Sequence, residues 1–159
     1  MSIQSSNVYN TTDIKLSTDA FVVIVCTEWN AETIEKLVAG ATKILTEHKV
    51  SYKIITVPGA FEIPFAIKNY WSNAIQKPNA FIALGCVFRG DTPHFDYVCQ
   101  GVTDGIMQLN LLLPVATIYG ILTVNTQQQI DERLGGAHGH KGEEAALAAL
   151  KMISLTPNC

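Results

Sequence analysis

Two hydrophobic rhythms follow one another along this chain. Residues 21–26 (FVVIVC) and 80–87 (AFIALGCV) are continuous apolar runs, the pattern of strands buried on both faces. Residues 52–57 and 115–124 (VATIYGILTV) read as two more strands. Between them, apolar residues recur every three or four positions: Ile34, Leu37, Val38, Ala41 and Leu45 within 30–48, and Phe95, Val98, Cys99, Val102, Ile106 and Leu109 within 94–113. That spacing predicts helices over both stretches. Further helices are expected over 63–71 after the Pro58-Gly59 break, over 127–134 up to Gly135-Gly136, and over 143–153 with an Ala-rich face. The first 20 residues, rich in Ser, Asn and Thr, show no apolar period. They are expected to form a flexible arm (1–20) ahead of a single domain (21–159).

Strands alternating with helices require crossover connections. The expected architecture is therefore α/β, a three-layer αβα sandwich around a four-stranded parallel sheet. Such a sheet leaves two edges that a partner subunit could cover. Ligands of open α/β sheets bind beyond the carboxyl ends of the strands. The segments to read for chemistry are thus 27–30, 58–62, 88–94 and the chain from 125 onward.

Charge narrows the choice of partners. Eleven Lys and Arg against 14 Asp and Glu leave a net charge of −3, the wrong balance for a protein that meets phosphate backbones, so no nucleic-acid partner is expected. No apolar run approaches the roughly 20 residues of a membrane span, so no membrane association is expected either. No basic start followed by an apolar core and a small-residue cleavage site is present, which points to a cytoplasmic location. Only 16% of residues are charged, where about 25% is usual, a hint that part of the surface is hidden against other subunits. Cys26, Cys86, Cys99 and Cys159 form no C-x-x-C pair, and read as thiols in a reducing compartment.

The richest segment is Arg89-Gly90-Asp91-Thr92-Pro93-His94-Phe95-Asp96-Tyr97. Gly90 permits a tight turn, Thr92 is a good helix cap and Pro93 suits a first helical position. Backbone N–H groups at that helix start form a natural anion site, and His94 would stand among them with an imidazole suited to proton transfer near neutrality. Asp91 would repel a phosphate, so main-chain donors must hold the anion while its carboxylate turns away. Trp29, directly after the first strand, can stack on a flat heterocycle or simply seal the sheet end. The turn Val57-Pro58-Gly59-Ala60-Phe61-Glu62-Ile63-Pro64 suits backbone hydrogen bonding to a planar ligand. Arg133 reads by default as a solvated charge. His138 and His140 have metal-like spacing but no third ligand in evident register, so no metal site is assigned. No glycine-rich nucleotide loop occurs.

Taken in this order, these segments resemble the 6,7-dimethyl-8-ribityllumazine synthase family. The matching stretches are Trp29-Asn30, VPGAFEIP at 57–64, GCVFRGDTPHFDYVC at 85–99, YGILT at 119–123, and Gln129, Arg133 and Lys141-Gly142. The resemblance runs from about residue 21 to 155. It implies a flavodoxin-like fold and the condensation of 5-amino-6-(D-ribitylamino)uracil with 3,4-dihydroxy-2-butanone 4-phosphate, without metal or organic cofactor. By the same resemblance His94 is the acid/base. Trp29, Ala60, Phe61, Glu62, Cys86, Val87 and Tyr119 hold the pyrimidine and ribityl chain. Asp91, Thr92 and Arg133 hold the phosphate, with Lys141 in support. Arg133, Lys141 and Tyr119 are expected to reach the site from the adjacent subunit. The assembly implied is a homo-oligomer, a pentamer or a 60-subunit capsid of twelve pentamers, with riboflavin synthase as a candidate associate. Gly135–His140 carries no evident insertion, which leans toward the capsid. Three departures stand out: Tyr119 occupies a position where phenylalanine is frequent, Asp91 stands at a variable position, and the 135–140 loop is unusually rich in imidazole.

Two other functions compete. An archaeal-type riboflavin synthase would use a similar fold on the lumazine itself. A flavin- or lumazine-binding module would use the sheet without turnover. The full VPGAFE and RGDTPHFDY matches disfavour the first, and the pairing of His94 with Arg133 disfavours the second.

Overall fold

The computed structural model describes residues 9–155. The apolar run after Ala20 becomes β1 (Phe21–Thr27), buried along its whole length. It is followed by α1 (Ala31–Glu47), β2 (Ser51–Val57), a single 3-10 turn (Ala60–Glu62) and α2 (Ile63–Asn73). Then come β3 (Ala80–Phe88), α3 (His94–Leu112) and β4 (Ala116–Val124). The chain ends in α4 (Gln127–Asp131), the short strands β5 (Leu134–Gly136) and β6 (Gly139–His140), and α5 (Lys141–Leu155).

The main sheet has the order β2-β1-β3-β4 and is parallel throughout. Because side chains alternate across a strand, β1 feeds two cores. Val22, Ile24 and Cys26 pack with α1 and α5, while Phe21, Val23 and Val25 pack with α2 and α3. Helices thus cover both faces, giving the three-layer αβα sandwich expected. Each fully buried Ile or Leu, such as Ile24, Leu37, Ile67 and Leu150, contributes about 1.5–3 kcal/mol by leaving water.

The edges differ from the centre. β2 is exposed over most of its length, with Tyr52 and Ile54 open to solvent, because among the described residues it pairs on one side only. At the other edge, Asn110 of α3 imitates a strand: its Oδ1 accepts from Thr117 N–H at 2.8 Å and its Nδ2 donates to Thr117 O at 2.9 Å.

One element departs from the sequence expectation. The helix predicted over 127–134 stops at Asp131, and Leu134–Gly136 turns back to pair antiparallel with Gly139–His140. Gly135 and Gly139 make this possible at φ 109° and 72°, a region closed to most side chains. Thr126 caps the shortened helix, accepting from Gln129 N–H at 3.3 Å.

The arm expected over 1–20 falls partly outside the described residues, as does Cys159. Residues 9–20 form no helix or strand, and Ile14 and Leu16 pack against the core on the α1 and α5 side. Among the described residues no helix is long and apolar enough to cross a membrane.

Candidate active site

Three strand ends converge on one cleft of about 730 Å³. The segment after β1 contributes Trp29 and Asn30, the turn after β2 contributes Gly59–Glu62, and the end of β3 contributes Cys86–Phe88. The loop beyond β3 and the first turns of α3 add Gly90, Thr92, His94, Tyr97 and Val98. The cleft sits where a parallel sheet presents its carboxyl ends.

Local chemistry fixes each wall. Asn30 adopts a left-handed conformation, φ 61° and ψ 45°, which asparagine tolerates better than most residues. Its Nδ2 donates to Cys86 O at 2.9 Å, tying the end of β1 to that of β3. Glu28 N–H and Trp29 N–H donate to Val57 O and Pro58 O at 2.9 and 3.4 Å, which brings the second turn alongside. Trp29 remains 73% exposed over the cleft, a flat apolar face with no partner ring in its own subunit's described residues.

Two glycines let the parts close up. A Cβ at Gly59 would lie 3.0 Å from Glu62 Oε2 and 3.7 Å from Trp29 Cδ1, so a side chain there would crowd the carboxylate against the indole. A Cβ at Gly101 would lie 2.5 Å from Phe61 Cε2. The Phe61 ring therefore rests on the backbone of α3.

His94 is exposed and opens α3 directly after Pro93, which is already helical at φ −62° and ψ −4°. Thr92 Oγ1 accepts from His94 N–H at 3.4 Å, and Asp96 N–H closes the first turn onto Pro93 O at 2.9 Å. Helix starts leave N–H groups available to an anion, and here they border the cleft. Asp91 is exposed in the same loop and is not among the residues that line the cleft.

The remaining predicted residues lie elsewhere. Tyr119, Arg133 and Lys141 line a second depression of about 470 Å³, floored by Ile118–Thr123 of the edge strand β4. Tyr119 accepts from Thr103 Oγ1–H at 3.2 Å, and burial pushes its phenol pKa up, partly offset by that bond. Arg133 Nη1 donates to Gln129 O at 2.9 Å. Lys141 Nζ forms a forked ion pair with Glu144 at 2.7 and 2.9 Å. One chain thus separates the predicted residues into two groups, His94 with the ring-binding turns and Arg133 with Tyr119 and Lys141.

Sequence reasoning missed several cleft residues. Tyr97 and Val98 line it one helical turn beyond His94, a spacing that was available. The Asn30 bridge to the Cys86 carbonyl had no sequence signal.

Ionisation in the site follows burial and pairing. Burial pushes the Cys86 thiol up to about 11, and the Cys26 thiol is raised for the same reason. Cys99, half-buried beside Asp96, is raised first by burial and then by that carboxylate. A hydrogen bond from Arg89 lowers the Asp96 carboxyl. Among the described residues no three His, Cys, Asp or Glu side chains gather as a metal would require. His138 Nε2 instead faces Glu132 Oε2 at 3.6 Å.

The family model described as 6,7-dimethyl-8-ribityllumazine synthase matches residues 19–157. The 6,7-dimethyl-8-ribityllumazine synthase of Parabacteroides distasonis is 43% identical over 156 residues, 96% of each chain. That of Porphyromonas gingivalis is 47% identical over 150 residues, 92% of each chain. The Xylella fastidiosa protein of the same name is 43% identical over 136 residues, covering 84% of this chain and 87% of its own.

Proposed function

The chain belongs to the 6,7-dimethyl-8-ribityllumazine synthase family, and from that premise we propose that it condenses 5-amino-6-(D-ribitylamino)uracil with 3,4-dihydroxy-2-butanone 4-phosphate, in a site shared between neighbouring subunits. The observation that carries this reading is the cleft that gathers Trp29, the 59–62 turn and His94 at the carboxyl ends of three strands.

In this reading the pyrimidine stacks on Trp29, with its edge against the Cys86 and Val87 backbone. The ribityl chain runs along Ala60, Phe61 and Glu62. The phosphate rests at the start of α3 near Thr92, with main-chain help from the Asp91 position. An adjacent subunit supplies Arg133 to the phosphate, Tyr119 to the ring and Lys141 in support. The partition of these residues between two depressions on one chain supports a shared site, because neither depression holds both a proton carrier and the phosphate-binding arginine.

The chemistry needs proton transfers and charge neutralisation. The pyrimidine amine attacks the ketone carbon to give a carbinolamine, which loses water to form an imine. Loss of a proton from the adjacent carbon expels orthophosphate with the C–O bonding pair and leaves an enol. Tautomerisation gives a ketone, the second nitrogen closes the ring on it, and a second water departs. His94 serves as the proton carrier, a role worth roughly 10²–10⁴-fold. Arg133 and helix N–H donors hold the leaving phosphate. Holding two substrates in register supplies the rest, with no metal or organic cofactor.

The assembly belonging to this reading is a homo-oligomeric ring, a pentamer or twelve pentamers in a 60-subunit shell, located in the cytoplasm, with riboflavin synthase as a candidate associate. The deciding experiment mixes the purified protein with both substrates. A fluorescent lumazine formed with one equivalent of orthophosphate supports the reading. Binding of the pyrimidine with no phosphate release contradicts it, and consumption of lumazine to riboflavin would favour a riboflavin synthase instead.

A further inference from the structure

Arg89 is the first residue beyond β3, and Asn125 the first beyond its neighbour β4. Arg89 lines neither depression, yet it is among the most connected polar side chains near the site. Its Nε donates to Asn125 Oδ1 at 2.9 Å. Its Nη2 and Nη1 donate to the two oxygens of Asp96 at 2.7 and 3.4 Å. Its guanidinium carbon lies 4.1 Å from the centroid of the Phe95 ring. One planar group therefore grips the end of β4 by one edge, the first turn of α3 by another, and an aromatic ring by its face.

The contacts continue beyond Arg89. Asn125 N–H donates to Gln129 Oε1 at 2.7 Å, and Gln129 O accepts from Arg133 Nη1 at 2.9 Å. A single series of hydrogen bonds thus joins the start of α3 to the segment that holds Arg133.

We propose that Arg89 is a positioning residue that fixes the first turn of α3, and with it His94, while bracing the Arg133 segment through Asn125 and Gln129. An exposed ion pair contributes little by itself, and Arg89 and Asp96 keep 43% and 58% of their side chains in solvent. The effect here is geometric. The loop 90–93 is clamped at both ends by one rigid fork, whose several N–H edges lysine does not possess. The kinetic consequence rests on the proposed roles of His94, Thr92 and Arg133; the structural consequence does not.

The test pairs hydrogen–deuterium exchange on the ligand-free assembly with steady-state kinetics, for Arg89→Met, Arg89→Lys and Asn125→Ala. In both Arg89 variants, the amides of Asp96 and Tyr97 should exchange about tenfold faster, while β1 and β3 stay protected. Asn125→Ala should quicken exchange at Gln129 and Arg133. KM for the phosphorylated ketone should rise about tenfold in the Arg89 variants and kcat should fall as His94 loses its placement, with pyrimidine KM within about twofold, because the ring-binding turns stay in place. Should Arg89→Met fail to assemble, Arg89→Lys carries the same comparison. Restoration of both exchange and KM by lysine would mean that charge alone matters and would overturn the proposal, as would unaltered exchange at Asp96 and Tyr97 in Arg89→Met or Arg89→Lys. A wild-type protein that made no lumazine would remove the proposed function instead, leaving the exchange data to decide the role of Arg89.

Discussion

His94 and Arg133 belong to one chain but line separate depressions, His94 the cleft beyond β1, β2 and β3, and Arg133 the shallower one along the edge strand β4. In the proposed reaction, which uses both, the second comes from another copy. The β4 edge, with no strand beyond it among the described residues, offers the surface on which a neighbour could close a cleft in the proposed site.

The acid/base role of His94 is open to direct test. Replacing His94 with Ala should lower kcat by roughly one to two powers of ten while pyrimidine affinity changes by less than about twofold. Single-turnover formation of the lumazine reads the first quantity, and titration with a pyrimidine analogue the second. Unchanged turnover would remove the assignment.

Arg133 and Trp29 should fail toward different substrates. Arg133→Ala should raise KM for the phosphorylated ketone, as a charge-assisted contact is lost. Trp29→Ala should weaken pyrimidine analogues by about 1–3 kcal/mol, the value of a stacked base. Equal defects toward both substrates in both variants would contradict the division.

Tyr119 carries a hydroxyl that accepts from Thr103. Tyr119→Phe keeps the ring and removes that bond, so stability should fall by about 0.5–1.5 kcal/mol in denaturant unfolding. Pyrimidine KM should change less than about threefold, since in the proposed site the ring makes the contact.

Alkaline stability should report on Cys86. Its thiol ordinarily ionises near 9.0 and is raised to about 11 in the fold. The folded chain therefore retains a proton that the unfolded chain releases. The resulting stability is fully present below pH 9.0 and is lost between 9.0 and about 11. The full loss is about 3 kcal/mol as an upper bound. Unfolding free energies measured across that range should slope downward, and Cys86→Ala should flatten the slope.

The fold was legible wherever burial governed composition. β1 and β3 are flanked by strands and covered by helices, so every position but Thr27 is apolar or glycine and the run announces itself. β2 was recognisable as a strand, but its exposed face was not, because edge status depends on sheet order. The β5–β6 pair escaped since Leu134-Gly135-Gly136 and Gly139-His140 carry no alternation; two left-handed glycines make the turn. The cleft was legible as a set of strand-end segments. The separation of Tyr119, Arg133 and Lys141 from His94 was not visible in spacing and came only from the family resemblance. The sequence shows Arg89 only as a loop residue, because its partners Asn125 and Asp96 meet only once β3 and β4 lie side by side.

The shared site is tested most directly by mixing two impaired variants. Subunits carrying His94→Ala and subunits carrying Arg133→Ala are unfolded, combined and reassembled, with mixed composition verified by native mass spectrometry. If the two residues meet across an interface, some interfaces regain an intact His94 beside a neighbour's intact Arg133, and lumazine formation returns to a fraction of wild type. No recovery in verified mixed assemblies, or full activity in a monomer, would place both residues in a single subunit's site.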